Sequence, residues 1–282
     1  MIKETQANDK NELRKRKTIF VLLIILFILC IIISIVIEIV ESKKTIEPVN
    51  IKQTKAEKKQ IIEFDHLFEE NQEKPIIDSK YKNNDSKDVV YTVYENKEKK
   101  ENEYNIQVSI PEINIKSDKI DKINKEIIDV FKTKAENIIK TINREEVIYT
   151  VEYAQSINSD ILSVVIKSTL KEGNNAQRVI VKGYTYNFIT NEVLDFKDLI
   201  LIKQINEKDI TKEIKKVIKE NIDKSQTLIN LGYNVFERNL DDKIYEIENI
   251  DNFFYGPNEV LYIIFAYGNN RYTSELDIVE IN

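Results

Sequence analysis

The 282-residue chain predicts an α+β fold: a single N-terminal transmembrane helix, a stalk, and an ectodomain of antiparallel sheets with two amphipathic helices. Three observations lead there. Residues 18–37, TIFVLLIILFILCIIISIVI, carry no charge. From Tyr104 onward several stretches alternate apolar and polar residues, and two others repeat apolar residues at three- and four-residue steps. These are the patterns of a membrane span, of half-buried strands, and of helices with one buried stripe.

At about 1.5 Å per residue, 20 residues cover roughly 30 Å, the hydrocarbon thickness of a bilayer. We place the transmembrane helix at 18–40, in contact with membrane lipid. Before it stand Lys3, Lys10, Arg14, Lys15, Arg16 and Lys17 against Glu4, Asp9 and Glu12; after the uncharged run 18–37 come Glu38, Glu41, Lys43 and Lys44. The positive-inside rule makes residues 1–17 a cytoplasmic tail and the rest extracytoplasmic. The apolar run is too long for a cleaved signal peptide. Leu29 before Cys30 does not suit a lipoprotein site, and Cys30 reads as a small apolar residue in mid-span. The net charge of −6 then divides into +3 for residues 1–17, −1 for residues 18–40 (Glu38), and −8 for residues 41–282, from 36 basic and 44 acidic groups.

Residues 41–88 are rich in Lys, Glu, Asn, Asp and Gln and read as a stalk, with a helix across Thr54–Glu70 that adds little core. His66, the only histidine, falls here as a solvated side chain. Two domains follow, 89–192 and 193–282. Tyr104, Ile106, Val108 and Ile110 form a strand that Pro111 ends. Ser117 caps a helix carrying Ile120, Ile123, Ile127, Phe131, Ala135, Ile138 and Ile142 on one face. An antiparallel meander comes next: a strand from Val147 to Tyr153, a turn at Asn158-Ser159-Asp160, a strand over 161–170, a turn at 172–175, and a strand over 177–189. Residues 195–202 make a short helix. Asn206 and Asp209 resemble a capping pair for a second amphipathic helix through Ile210, Ile214, Val217, Ile218 and Ile222. Residues 260–267, VLYIIFAY, are a central strand in a closing hairpin with 273–281.

The composition excludes much chemistry. One Cys and one His make neither a disulfide framework nor a Cys/His zinc site. An ectodomain without Cys, and without His beyond the stalk, excludes Cys proteases, thiol redox sites and the usual serine triads. No glycine-rich phosphate cradle is present. No cofactor, metal or catalytic residue is expected, and an acidic chain argues against nucleic acid. Glu145-Glu146 and Asp241-Asp242 are the adjacent carboxylates a hydrolase could use, but both pairs read as solvated surface. Among the crowded aromatics Phe253, Phe254, Tyr255, Tyr262, Phe265, Tyr267 and Tyr272, most read as core. Tyr255 and Tyr272, at loop positions, are the candidates for exposed ligand contacts.

Several phrases carry a resemblance. Residues 104–112 (YNIQVSIPE) with the Ile-rich helix after Ser117, residues 183–200 (GYTYNFITNEVLDFKDLI), and residues 253–281 resemble a tandem module. Its first part is found at the N-terminus of some peptidoglycan deacetylases, and its second is a domain of unknown function. Together they form the ectodomain of the lysozyme-sensing anti-sigma-V factor of Gram-positive bacteria. The resemblance implies ligand recognition at a Gram-positive cell membrane, with a lysozyme-like protein or a wall ligand as partner. Seventeen residues before the span are too few to fold around a sigma factor, and no deacetylase domain follows, so neither full activity carries over. The expected role is a non-catalytic envelope binding or sensing module. The alternatives are a carboxylate-dependent envelope hydrolase and a structural or assembly subunit.

Overall fold

The computed structural model describes residues 62–69, 75–101, 103–141, 146–175, 177–233, 235–267 and 275–282. The expected span, Cys30, Glu145 and Tyr272 lie outside them. Among the described residues no helix is long and apolar enough to cross a membrane.

Six strands form one sheet in sequence order: β1 (Val90–Lys100), β2 (Tyr104–Ile113), β3 (Val147–Asn158), β4 (Ile161–Glu172), β5 (Arg178–Asn187) and β6 (Glu192–Val193). The meander stands where the alternation puts it. Ser159, at φ 59°, and Asp160 turn β3 into β4, a two-residue connection that favours a positive φ. β1 has no counterpart in the sequence reading, because its second half, ENKEKK, is polar on both faces and shows no period. The expectation of purely antiparallel sheets is corrected at one place: β2 and β3 run parallel. Residues 114–146 cross over between them, and a parallel pair needs a crossover of that length.

The crossover carries α1 (Asp118–Ile127), a π-helical turn (Ile128–Lys132) and α2 (Thr133–Thr141). Ser117 Oγ accepts from Lys119 N, capping α1 as expected. The π turn has a sequence cause. Ile127, Phe131 and Ala135 sit at two successive four-residue steps, which overshoot the 3.6-residue turn, and a wider turn keeps all three on the sheet. They bury with Ile106, Val108, Tyr149, Val164 and Ile166 on that face of the large sheet.

The other face is covered in part by a second sheet of β7 (Phe253–Tyr255), β8 (Leu261–Ala266) and β9 (Leu276–Ile281), with β8 in the centre. That position explains the unbroken apolar run. Phe254, Tyr262 and Ile264 pack on Ala154, Val165, Val179 and Val181 of the large sheet. Leu261, Ile263 and Phe265 face α3 (Phe196–Ile202) and α4 (Glu207–Asn230), which present Leu199, Ile200, Ile210, Ile214 and Ile218. Asp195 and Asp198 form a capping box on α3, and Asn206 caps α4 by accepting from Lys208 N at 2.9 Å. The layers are therefore helix, six-stranded sheet, three-stranded sheet, helix. Residues 59–282 form one compact unit, and the boundary expected at 192/193 falls inside it, between β6 and α3.

Residues 62–69 correct the expected stalk. Phe64 and Leu67 are buried with the small sheet, in a 3-10 turn over Phe64–Phe68. Tyr262 Oη donates to Ile62 O at 2.7 Å. The apolar cluster of this stretch is core because the small sheet leaves an apolar border that needs cover.

Burial, and secondly the charge of Glu63, raise the Glu280 carboxyl on β9 above its usual value. The folded chain therefore holds that proton more tightly than the unfolded one. Ionised Glu280 opposes folding above its raised pKa, and the penalty fades as pH falls toward 4.5. Glu280→Gln is expected to raise Tm by about 1 °C near neutral pH, a small value because solvent screens the site. The gain should vanish in a melt at pH 4.

Candidate binding groove

Pro111 decides where the groove lies. β2 and β3 pair from Tyr104↔Val147 to Val108↔Val151. Val147 N donates to Glu103 O at 3.0 Å. In a parallel ladder that starts so, alternate β2 residues (Asn105, Gln107 and Ser109) send their N–H groups to β3. The next donor due from β2 is residue 111, and proline has none. The pairing ends just ahead of it, at Val108↔Val151. Pro111 does not end the strand, as expected from sequence; it ends only one edge of it. β2 continues beside β1 as far as Ile113↔Val90, and β3 continues beside β4 to Asn158↔Ile161. The two strands part into a fork.

The small sheet packs on β3 to β5, and among the described residues no part of it lies over β1 and β2, which leaves the fork open on that side. A cavity of about 570 Å³ results, within the roughly 300–1,000 Å³ of ligand sites. Thr92, Glu95 and Lys97 of β1, Gln107 and Ser109 of β2, and residues 150–155 of β3 line it, with Leu67, Phe68 and Glu69 forming an apolar-to-acidic lip. Tyr153 Oη and Thr92 Oγ1 are hydrogen-bonded at 3.0 Å, tying β3 to β1 across the fork.

The lining is acidic. Glu69, Glu95 and Glu152 stand against Lys97, whose Nζ is 2.9 Å from Glu95. Behind the lip, Lys167 reaches Asp65 and Glu152 at 2.9 Å each and lies 4.7 Å over the Phe68 ring. Burial pulls the Lys167 ammonium down, but hydrogen bonds to Asp65 and Glu152 outweigh it, and its pKa is raised overall. Gln155 Oε1 is buried with no hydrogen-bond partner among the described residues. A buried carbonyl oxygen in that state asks for a donor.

The residues singled out from sequence are not in this groove. Tyr255, expected as an exposed contact, is 2% exposed. It is the last residue of β7, paired with Leu261, and its ring joins the core on the α3–α4 side. Burial, then the nearby Glu259 carboxylate, raise its hydroxyl pKa, and Lys203 Nζ sits 5.0 Å from the ring. The other candidate, Tyr272, lies outside the described residues. His66 is exposed, 3.9 Å from Glu69. Asp241 and Asp242 are exposed, on a shallow acidic cleft of about 410 Å³. The Asp242 carboxylate is engaged in accepting from Ile244 N at 3.1 Å. Among the described residues no three His, Cys, Asp or Glu side chains cluster as a metal site. The groove could have been suspected from Pro111 in mid-strand; the carboxylates of its lining carry no local signature.

A second polar cluster is structural. Arg238 donates to both Asp277 oxygens, at 2.6 and 2.9 Å, and to Ser225 Oγ at 2.8 Å, and lies 2.9 Å from Glu275 Oε2. Tyr267 Oη donates to Asp277 at 2.6 Å and meets Tyr245 Oη at 2.7 Å. Phe236 stacks on Tyr267 at 4.1 Å. These contacts tie residues 235–250 to β9 and to the end of α4.

No family model matches the sequence, and no curated protein does. Two solved structures are similar in part. One is a DUF3298 family protein from Pseudomonas aeruginosa, at 8% identity and TM-score 0.36, covering 65% of this chain and 83% of that one. The other is a member of the DUF3298 family from Bacteroides fragilis, at 12% identity and TM-score 0.31, covering 63% and 80%. DUF3298 is a domain of unknown function.

Proposed function

We propose that this chain is a single-pass, extracytoplasmic binding protein of the cell envelope, anchored by residues 18–40, and that the β2–β3 fork is its ligand site. The observation that carries the reading is the open groove itself: a cavity of ligand size, acidic in its lining, with a buried acceptor waiting for a donor. The uncharged run behind a basic tail supports the anchor. The resemblance noted above points to a lysozyme-like protein, and a basic partner suits both the groove and the net charge of −8 on residues 41–282.

Calorimetry tests this with purified residues 59–282 and a basic lysozyme at low salt. Binding is expected, weakening as salt screens the charges. The Glu95→Lys/Glu152→Lys double variant should lower affinity by about tenfold or more. Absence of binding to lysozyme and to soluble wall fragments alike would overturn the reading.

A further inference from the structure

The fork exposes more than side chains. Gly173 N donates to Glu146 O at 2.7 Å, so Glu146 and every second residue after it direct their backbone groups to β4. Val147 N, by contrast, donates toward β2. The same alternation carried along β3 aims the N–H and C=O groups of Tyr153, Gln155 and Ile157 into the fork. The ladder with β2 has already ended at Val151, so among the described residues these groups lie beyond the last β2–β3 pair. Across the gap the carbonyls of Ser109 and Pro111 face the same space. The interior of a six-stranded sheet thus contains a stretch of open strand edge, with the unpartnered Gln155 Oε1 beside it. Open edges are normally covered or blunted.

We infer that the fork binds an extended polypeptide segment bearing Lys or Arg, added as a strand along Tyr153–Ile157 of β3. This rests on the binding role proposed above and names the class of partner and its mode. Backbone groups at strand spacing select an extended chain, and alternate side chains of that chain face opposite sides of the sheet. At about 3.3 Å per residue, the open edge matches a strand of four or five residues. The carboxylates of Glu69, Glu95 and Glu152 select basic side chains on the groove side, and Gln155 Oε1 accepts from one of them or from an incoming N–H.

The test uses the full chain in detergent micelles and a short fluorescent peptide of alternating lysine and valine, read by anisotropy. A second peptide is N-methylated on alternate amides, and a third replaces lysine with glutamate. The first is expected to bind, and the other two at least about tenfold more weakly, the loss of one or two backbone or charge-assisted hydrogen bonds. Gln155→Pro removes one fork-facing N–H while leaving the β4 ladder whole, and should weaken the first peptide similarly. Gln155→Ala tests the side-chain oxygen alone. Equal binding of the parent and N-methylated peptides would overturn strand addition, whatever the fate of the proline variant. If a lysozyme or a soluble wall fragment binds and no peptide does, the inference fails while the binding role stands; if none of the three binds, both fail. Self-association that excludes the peptide, and is abolished by Gln155→Pro, would assign the fork to a second copy and overturn the proposal.

Discussion

Gly183→Ala is expected to lower the stability of residues 59–282 by roughly 3 kcal/mol or more, the upper range for overpacking. In a domain of this size that is a fall in Tm of roughly 6–12 °C. Gly183 sits on β5 opposite Val165, where β7 crosses the large sheet. A Cβ at this position would lie 2.1 Å from Phe253 O, and 3.1 and 3.2 Å from the carbonyl carbon and nitrogen of the same residue. All three are backbone atoms, so no side chain can swing aside. The neighbouring contacts hold β7 in place: Tyr255 N donates to Ser163 Oγ at 3.1 Å, and Asn158 Nδ2 donates to Gly256 O at 2.8 Å. Gly232 supplies the contrast. It stands past the end of α4 at φ 85° with nothing within 4 Å of a built Cβ, so Gly232→Asn, which tolerates that conformation, should change Tm little. Thermal melts of the two variants side by side check both statements.

Arg238→Met is expected to cost about 3–5 kcal/mol, because it leaves a buried carboxylate without its cation. The Arg238 side chain is 5% exposed and that of Asp277 is 2% exposed. Asp277, with Glu275 and Tyr267, holds the guanidinium pKa above its ordinary value against the pull of burial. Burial, then the hydrogen bond to Asp277, raises the Tyr267 hydroxyl. Arg238→Lys keeps the charge but not the two parallel N–H donors, and should recover only part of the loss. The double variant Arg238→Met/Asp277→Asn should lose less than the two single changes together, since each partner's cost is largely the other left unpaired. Urea denaturation of the four proteins gives the cycle.

Much of this architecture is legible along the chain because it rests on local pattern. The two stripes of isoleucine, the Ser117 and Asn206 caps, the Ser159–Asp160 turn and the doubly buried β8 all declare themselves within a few residues. What is not legible is long-range. β1 is polar over its second half and is a strand only because β2 pairs with it. Phe64 and Leu67 look like scattered apolar residues in a polar stretch until the border of the small sheet covers them. Arg238 and Asp277 are two ordinary surface-type residues 39 positions apart. Tyr255 reads as a loop aromatic because Gly256-Pro257 follows it, yet three residues suffice for an edge strand. The groove was the least accessible feature. Pro111 stands plainly in the sequence and reads there as a strand terminator, the commoner meaning of proline in a strand. Only the neighbour on each side of β2 shows that its missing donor opens one edge and spares the other.

Amide hydrogen exchange along β3 tests the central claim most directly. Ala154 and Ser156 direct their N–H groups to β4 and should be protected, whereas Tyr153, Gln155 and Ile157 direct theirs into the fork and should exchange faster by orders of magnitude. Pro111→Ala, which restores the absent donor, should extend the β2–β3 ladder and slow exchange at Tyr153. Slow and fast amides are expected to alternate from 153 to 157 in the free protein, and the alternation to be lost when a ligand fills the groove. Uniform protection of all five amides in the free protein would contradict it.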